Sequence, residues 1–370
     1  MKKIYIISLF IYLSSSLQAQ FVDIPDANFR KRLIELCPTC FNANKQMDTT
    51  CNGVVNLTDL DVSQRNINNL FGVQFFDKLT TLVCNSNQLT GLPKLPSNLV
   101  FLYCDDNQLT SLPTLPKFLA QLSCSDNQLT ILPTLPLSLT RLWCFNNQLT
   151  SLPKLPNNLY FLNCSSNQLT SLPTLPSSLD DLTCNSNQLT SLPTLPSRLI
   201  YLYCYDNQLA NLPTLPDNLM QLLCYKNQIK CLPFLPSTLT QLYFNKDLTM
   251  QTVEGNLINC LPNKPSGIVS AYNSFPICNA SNNPNNCNLL TGLETKNFTE
   301  KLTLYPNPTS SEVILSENGA IEVYSLTGNL MLLCKVENNS INISSLAKGI
   351  YHLKLTTPTG QRKTVKLVKE

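Results

Sequence analysis

The residues with most chemistry to offer are cysteines: the 370-residue chain has sixteen, and eight stand at a fixed interval, Cys84, Cys104, Cys124, Cys144, Cys164, Cys184, Cys204 and Cys224. A row of thiols invites disulfides or a metal–thiolate array. Neighbouring inward side chains on parallel, in-register strands lie about 4.8 Å apart, longer than the roughly 3.8 Å Cβ separation of a disulfide. Zinc needs convergent ligands, which a straight row does not provide. The row is therefore expected to be buried, reduced thiol, used as a small hydrophobe. The other cysteines are aperiodic. Cys37, Cys40 and Cys51 lie close enough for one bridge, and Cys231, Cys260, Cys278 and Cys287 suffice for two of open pairing; Cys334 stands alone.

A second constellation echoes a calcium loop. Asp48, Thr50, Asn52, Val54 and Asp59 fall at loop positions 1, 3, 5, 7 and 12, with Gly53 at position 6. Thr replaces a carboxylate and Asp replaces the bidentate Glu, so calcium coordination competes with a purely structural turn. No other cofactor is suggested. The one histidine, His352, leaves little room for a His general base. There is no Gly-rich phosphate loop, and Asp180, Asp181 and Asp206 read as solvated on an open sheet. These absences argue against an enzyme.

The elements that carry these residues follow from a period of twenty. From Leu79 the pattern L-x-x-L-x-C-x-x-N-Q-L-T-x-L-P-x-L-P-x-x recurs without insertion, and Phe244 takes the cysteine slot in a ninth turn. Self-similarity at this period means a solenoid. Alternation in x-L-x-C-x sends leucine and cysteine inward and their neighbours to the opposite face, as a short strand requires. The asparagines at 87, 107, 127, 147, 167, 187, 207 and 227 sit where each coil bends, where a stacked ladder satisfies exposed backbone groups. L-P-x-L-P cannot be helical and is expected as an extended return stretch. Only Gly91 lies between Gly72 and Gly255, so Asn and Pro are expected to do the turning. Nine coils at about 4.8 Å each make a rod on the order of 43 Å long.

The outward strand positions are rich in aromatics. Phe101, Tyr103, Trp143, Phe145, Phe161, Tyr201, Tyr203, Tyr205 and Tyr225 are the candidate ligand-binding residues, with Tyr160 and Tyr243 in the same band. Exposed aromatics in such number mark protein interfaces and sugar platforms; the competing reading is that aromatics simply favour strands. From Lys78 to Asp247 there are nine basic and eight acidic residues, a balance that argues against a highly charged ligand. A formal charge of +3 over the whole chain gives no reason to expect nucleic acid.

The flanks complete the plan. Lys2 and Lys3, an apolar run from Ile4 to Leu17 and a small residue at Ala19 describe a signal peptide over 1–19. The run is short of the roughly 20 residues a membrane span needs, and no later stretch could span. Residues 20–56 are expected to form an N-terminal cap with a short helix started by Asp26. The solenoid is expected over 57–250, beginning with a degenerate coil from Leu57 to Leu70, and a cap and linker over 251–297. From 298 to 370, alternating runs separated by turns suggest a small antiparallel β-sandwich.

The repeat resembles the leucine-rich repeat family, in particular the 20-residue bacterial type ending in L-P-x-L-P. The resemblance implies a mainly β solenoid with a parallel sheet on its concave face, extended convex segments and a protein or other ligand held on the concave side. The tail resembles the C-terminal sorting domain of the type IX secretion system, through Tyr305-Pro306-Asn307-Pro308, Tyr324-Ser325-Leu326-Thr327-Gly328, Leu346-Ala347-Lys348-Gly349-Ile350-Tyr351 and a basic last strand from Lys363 to Lys369. That resemblance implies handling by the type IX machinery through 298–370, passage across the outer membrane, and a secreted or surface-held product. The expectation is a non-enzymatic protein that binds a protein or glycan through its aromatic face. The alternative is a structural or adhesin component of the cell surface without a discrete ligand site.

Overall fold

The computed structural model describes residues 20–244, 256–268, 275–279, 287, 304–305, 307–309, 311–315, 318–325, 330–336, 340–356 and 362–370. The expected signal peptide and most of the expected linker lie outside the described residues, as does the end of the ninth repeat turn. The chain forms two compact units, 1–289 and 290–370.

In the first unit, strand β1 (Phe21–Val22) pairs antiparallel with β2 (Met47–Asp48), and helix α1 (Ala27–Leu36) lies between them in sequence. Asp26 caps α1 as expected: its Oδ1 accepts from the backbone N–H of Asn28 and Phe29 at 2.9 and 2.8 Å. Its other oxygen accepts from Asn68 N–H at 2.8 Å, so one carboxylate both starts the helix and fastens it to the first coil. Phe29 and Leu33 on the inner face of α1 are buried against the solenoid core. Helix α2 (Asn52–Val55) follows a Cys40–Cys51 disulfide, leaving Cys37 as a buried free thiol.

Ten three-residue strands form one parallel sheet in chain order. They are β3 (Asp59–Asp61), β4 (Thr81–Val83), β5 (Phe101–Tyr103), β6 (Gln121–Ser123), β7 (Arg141–Trp143), β8 (Phe161–Asn163), β9 (Asp181–Thr183), β10 (Tyr201–Tyr203), β11 (Gln221–Leu223) and β12 (Gln241–Tyr243). Register is strict: central leucine faces central leucine throughout, Leu60 facing Leu82 after a step of twenty-two and every later one facing the leucine twenty residues on, as Leu102 faces Leu122. The eight ladder cysteines are free and 0 % exposed, and with the repeat leucines they make one continuous core. Their first thiols point toward the next strand's carbonyls, Cys84 Sγ at 3.4 Å from Tyr103 O and Cys104 Sγ at 3.3 Å from Ser123 O. The L-P-x-L-P stretches are neither helix nor strand.

Each bend is held by its asparagine. The Asn107 amide donates to the carbonyls of Cys84, Cys104 and Asp105 at 3.0–3.2 Å, and its Oδ1 accepts from Leu89 N–H at 3.1 Å. The left-handed residue at the bend is not the asparagine but the one before it. Ser86, Asp106, Asp126, Asn146, Ser166, Ser186, Asp206 and Lys226 all have φ between 51° and 56°. The expected division of labour is thus corrected: the asparagine ties the bend, and its predecessor makes it.

The C-terminal end of the solenoid is closed by aperiodic residues. Asn256 takes the next place in the asparagine ladder, accepting from Ile229 N–H at 2.9 Å and donating to Cys224 O and Phe244 O at 2.8 Å. Phe244 and Phe275 pack edge to face, 5.2 Å between ring centres. Disulfides Cys231–Cys287 and Cys260–Cys278 staple this cap, resolving the open pairing.

The second unit is a sandwich of two antiparallel sheets. One holds β13 (Leu304–Tyr305), β14 (Glu312–Leu315) and β17 (Ser340–Asn342); the other holds β15 (Gly319–Ser325), β16 (Leu330–Val336), β18 (Gly349–Thr356) and β19 (Arg362–Lys369), in the order β16-β15-β18-β19. Val313, Leu315 and Ile341 of the first sheet share a core with Ile321, Val323, Leu353, Leu355 and Leu367 of the second. Along β18 burial alternates residue by residue, the period-2 pattern of a one-sided strand.

Candidate ligand-binding face

Because the central leucine of every strand points into the coil, its two neighbours must point out, and three outward columns result. The first runs Asp59, Thr81, Phe101, Gln121, Arg141, Phe161, Asp181, Tyr201, Gln221 and Gln241; the second lies two residues on in each coil. A third, two residues further, holds Asp105, Ser125, Phe145, Ser165, Tyr205 and Tyr225 just past the strands. All nine candidate aromatics lie in these columns, each half-buried.

They gather into patches rather than a continuous platform. Phe101 and Tyr103 stand on β5. Trp143 and Phe161 pack across β7 and β8 with ring centres 4.8 Å apart at 39°, and Phe145 follows Trp143 by two residues. Tyr205 and Tyr225 stack with centres 4.4 Å apart and planes 9° from parallel, the spacing that parallel strands impose on aromatic neighbours. With Asp206, Leu223, Lys226 and Tyr243 this pair lines an open groove of about 370 Å³. Gln121 and Ser123 on β6 separate the first patch from the second, and Asp181 and Thr183 on β9 separate the second from Tyr201 and Tyr203.

Several supporting residues escaped the sequence reading. Tyr103 Oη donates to Gln121 Oε1 at 3.0 Å, and Tyr203 repeats the contact with Gln221. Both glutamines stand eighteen residues beyond their tyrosine, a diagonal visible only when neighbouring coils are aligned. Arg141 lies over the Tyr160 ring, 5.0 Å from its centre, and its Nε donates to Tyr160 Oη. Tyr160 precedes β8 by one residue, so its role is to hold Arg141 rather than to extend the outward columns.

The electrostatics of the face follow from partial burial. Burial raises the Asp105 carboxyl from its ordinary value, against the Ser123 hydroxyl at 2.6 Å and the Ser125 N–H at 2.8 Å. Burial likewise raises Asp181, opposed by the Thr183 hydroxyl. Tyr225 is pushed up to about 12 by burial, then by Tyr205 and Asp206.

The residues of the calcium-like segment are engaged internally. Asp48 Oδ1 accepts from the Thr50 N–H and hydroxyl at 2.9 and 2.7 Å. Asn52 and Val54 lie in α2, where their carbonyls accept the Asn56 N–H. Asp59 opens β3 and accepts from the Thr58 hydroxyl at 2.7 Å. Gly53 packs on the Cys40–Cys51 disulfide and the Cys37 thiol: a Cβ there would lie 2.9 Å from Cys40 Sγ and 3.1 Å from Cys37 Sγ.

Comparison with known proteins bears first on the tail. Residues 303–370 match the family described as secretion system C-terminal sorting domain. The chain ends in a sorting domain. It marks the protein as exported by the type IX system, secreted or held at the cell surface. Over 72 residues the chain is 42% identical to beta-agarase D of Zobellia galactanivorans, a match covering 19% of this chain and 15% of that enzyme. Among solved structures, YopM from Yersinia enterocolitica is 35% identical, with 58% of this chain and 55% of that one covered and a TM-score of 0.43. YopM from Yersinia pestis, a leucine-rich effector protein, is 27% identical, with 65% and 80% covered and a TM-score of 0.48. InlP of Listeria monocytogenes is 19% identical, with 92% and 95% covered and a TM-score of 0.48. Repeat pattern and ten-stranded parallel sheet together make the first unit a leucine-rich-repeat solenoid. No helix among the described residues is long and apolar enough to cross a membrane.

Proposed function

We propose that this exported, sorting-domain-bearing protein is a binding protein and not an enzyme, taking a protein or glycan partner on the strand-lined face of its solenoid. One observation carries the reading: the aromatics of that face lie in half-exposed patches, Trp143 with Phe145 and Phe161, and Tyr205 with Tyr225 beside an open groove. Large aromatics ringed by polar residues are the usual anchors of interfaces. In this reading 20–56 and 251–297 cap the solenoid of 57–250, and 298–370 engages the type IX machinery and is then removed. Mass spectrometry of the extracellular form checks the last step, since an intact C-terminus there counts against it.

The binding face is tested by replacing Trp143, Phe145 and Tyr203 together with alanine in the full chain. Binding to protein and glycan arrays is expected to fall by at least about 30-fold, the equivalent of roughly 2 kcal/mol for one anchor. Retained binding with an unchanged circular dichroism spectrum rejects the face.

A further inference from the structure

The near balance of charge across the repeats dissolves once residues are sorted by face. Between Lys78 and Phe244 there are eight basic and seven acidic side chains. Five of the acids, Asp105, Asp106, Asp126, Asp181 and Asp206, stand in the outward columns or at the left-handed bend beside them. On β3, Asp59 continues the same face, whereas Asp61 stands near Arg32 and Arg65 and is already partly offset by them. Only two of the eight cations, Arg141 and Lys226, are there; the others stand outside the strands and bends, as Lys94, Lys117 and Lys154 do. Arg141 is already occupied by Tyr160. The ion pairs among the described residues are Arg32–Glu35, Arg65–Glu35 and Arg198–Asp180, and none uses a carboxylate of this face.

We infer that the partner is a cationic polypeptide segment, rich in lysine or arginine, laid along the strand face. The inference rests on the binding-face reading above and names the chemistry of its occupant. Two features of the face suit such a segment together. Carboxylates flank the aromatic patches, Asp105, Asp106 and Asp126 beside Tyr103 and Asp206 beside Tyr205 and Tyr225, so a cationic head meets charge while its methylene stem meets rings. A neutral sugar is served less well, because Tyr205 and Tyr225, two of the three tyrosines of the groove, stack 4.4 Å apart and cover one face of each other's ring. The carboxylates also cost a polyanionic glycan like-charge repulsion.

The test uses the purified full chain and fluorescence anisotropy, with a labelled lysine dodecapeptide, a labelled glutamate dodecapeptide and labelled neutral dextran as probes. Two variants are compared with the parent: Asp106→Asn/Asp126→Asn/Asp206→Asn, which keeps side-chain size at two exposed positions and one half-buried one, and Trp143→Ala/Phe145→Ala/Tyr205→Ala. The expected result is binding of the lysine probe alone. Affinity should weaken about tenfold in the asparagine variant and again with added salt, since exposed charges are screened over about 10 Å at 0.1 M. Unaltered lysine binding in the asparagine variant overturns the inference. Dextran binding that is lost in the alanine variant, with no lysine binding, also overturns it but leaves the binding face standing. Binding of any probe that the alanine variant does not weaken rejects the face itself. Circular dichroism melts of both variants establish that each is folded.

Discussion

The asparagine at each bend is the residue on which the coil geometry most depends, and Asn147 in the middle of the solenoid tests this directly. Its Oδ1 accepts from Leu129 N–H at 2.9 Å, and its amide donates to Cys124 O, Cys144 O and Phe145 O at 3.0, 3.3 and 3.2 Å. Asn147→Ala removes all four bonds, but the three carbonyls each keep another donor: Asn127 on Cys124, Asn167 on Cys144 and the Asp126 N–H on Phe145. The orphan is the buried Leu129 N–H. One unsatisfied buried donor costs about 1–3 kcal/mol, and three weakened carbonyl contacts bring the expected loss to roughly 2–4 kcal/mol.

Asn147→Asp separates donor from acceptor, because it keeps the oxygen facing Leu129 and turns the amide nitrogen into an oxygen facing three carbonyls. The ionised form repels them, so the folded-state pKa of the new carboxyl is raised above its unfolded value near 3.9. The folded state then holds the proton more tightly, and stability is regained as pH falls toward the unfolded pKa and lost as pH rises through the folded one. Urea and thermal melts followed by circular dichroism, each referred to the parent at the same pH, should show the Asp deficit shrinking from pH 8 to about pH 4.5. The Ala deficit should stay constant. Hydrogen exchange of the peptide spanning Leu129 reports the same loss locally, as expected of a solenoid whose coils contact only their neighbours. An alanine variant within about 0.5 kcal/mol of the parent, or an aspartate deficit flat with pH, would refute this account.

Three further outcomes are expected. The ladder thiols titrate only on unfolding: burial pushes Cys164 and Cys224 up to about 12 and the other six also upward. With folded values raised, their contribution is complete below the unfolded value near 9 and falls above it by about 1.4 kcal/mol per fully titrating thiol per pH unit. Urea midpoints should therefore drop steeply between about pH 9 and 10.5, less so in Cys124→Ala/Cys144→Ala, and a flat profile refutes buried thiols. Gly53→Ala drives a methyl group onto Cys40 and Cys37 and should lower cap stability by about 1–3 kcal/mol, read as earlier exchange of the α2 amides. Ser166→Asn places a residue suited to the left-handed region at φ 52° on an exposed bend, and the melting temperature should rise by the equivalent of roughly 0.5 kcal/mol.

Much of the fold was legible because each coil is surrounded by copies of itself. A position that is apolar every twenty residues must stack on its own kind, so the buried leucines, the free cysteines and the asparagine contacts follow from one block. The aromatic columns were legible for the same reason. Their grouping into patches was not, because the glutamine partners of Tyr103 and Tyr203 lie on a diagonal between coils. Nor was the left-handed bend: serine, aspartate, asparagine and lysine share that position, and no residue type announces it. A charge balance summed over whole coils does not describe one face, and a partner meets only one face.

The cysteines divide along this line. For the eight in the ladder, sequence alone determined the outcome, since strand spacing forbids the bridge and the period supplies the burial. For the seven in the flanks, tertiary structure decided. Cys40 chose Cys51 rather than Cys37, and Cys231 reached Cys287 across 56 residues. Asn256 likewise completed a ladder whose period had already ended. The physical reason is common to all three: a repeat's contacts are set at a constant separation along the chain, but a cap must close a surface that has no further copy to meet. Its partners are therefore fixed only by where the folded chain brings them.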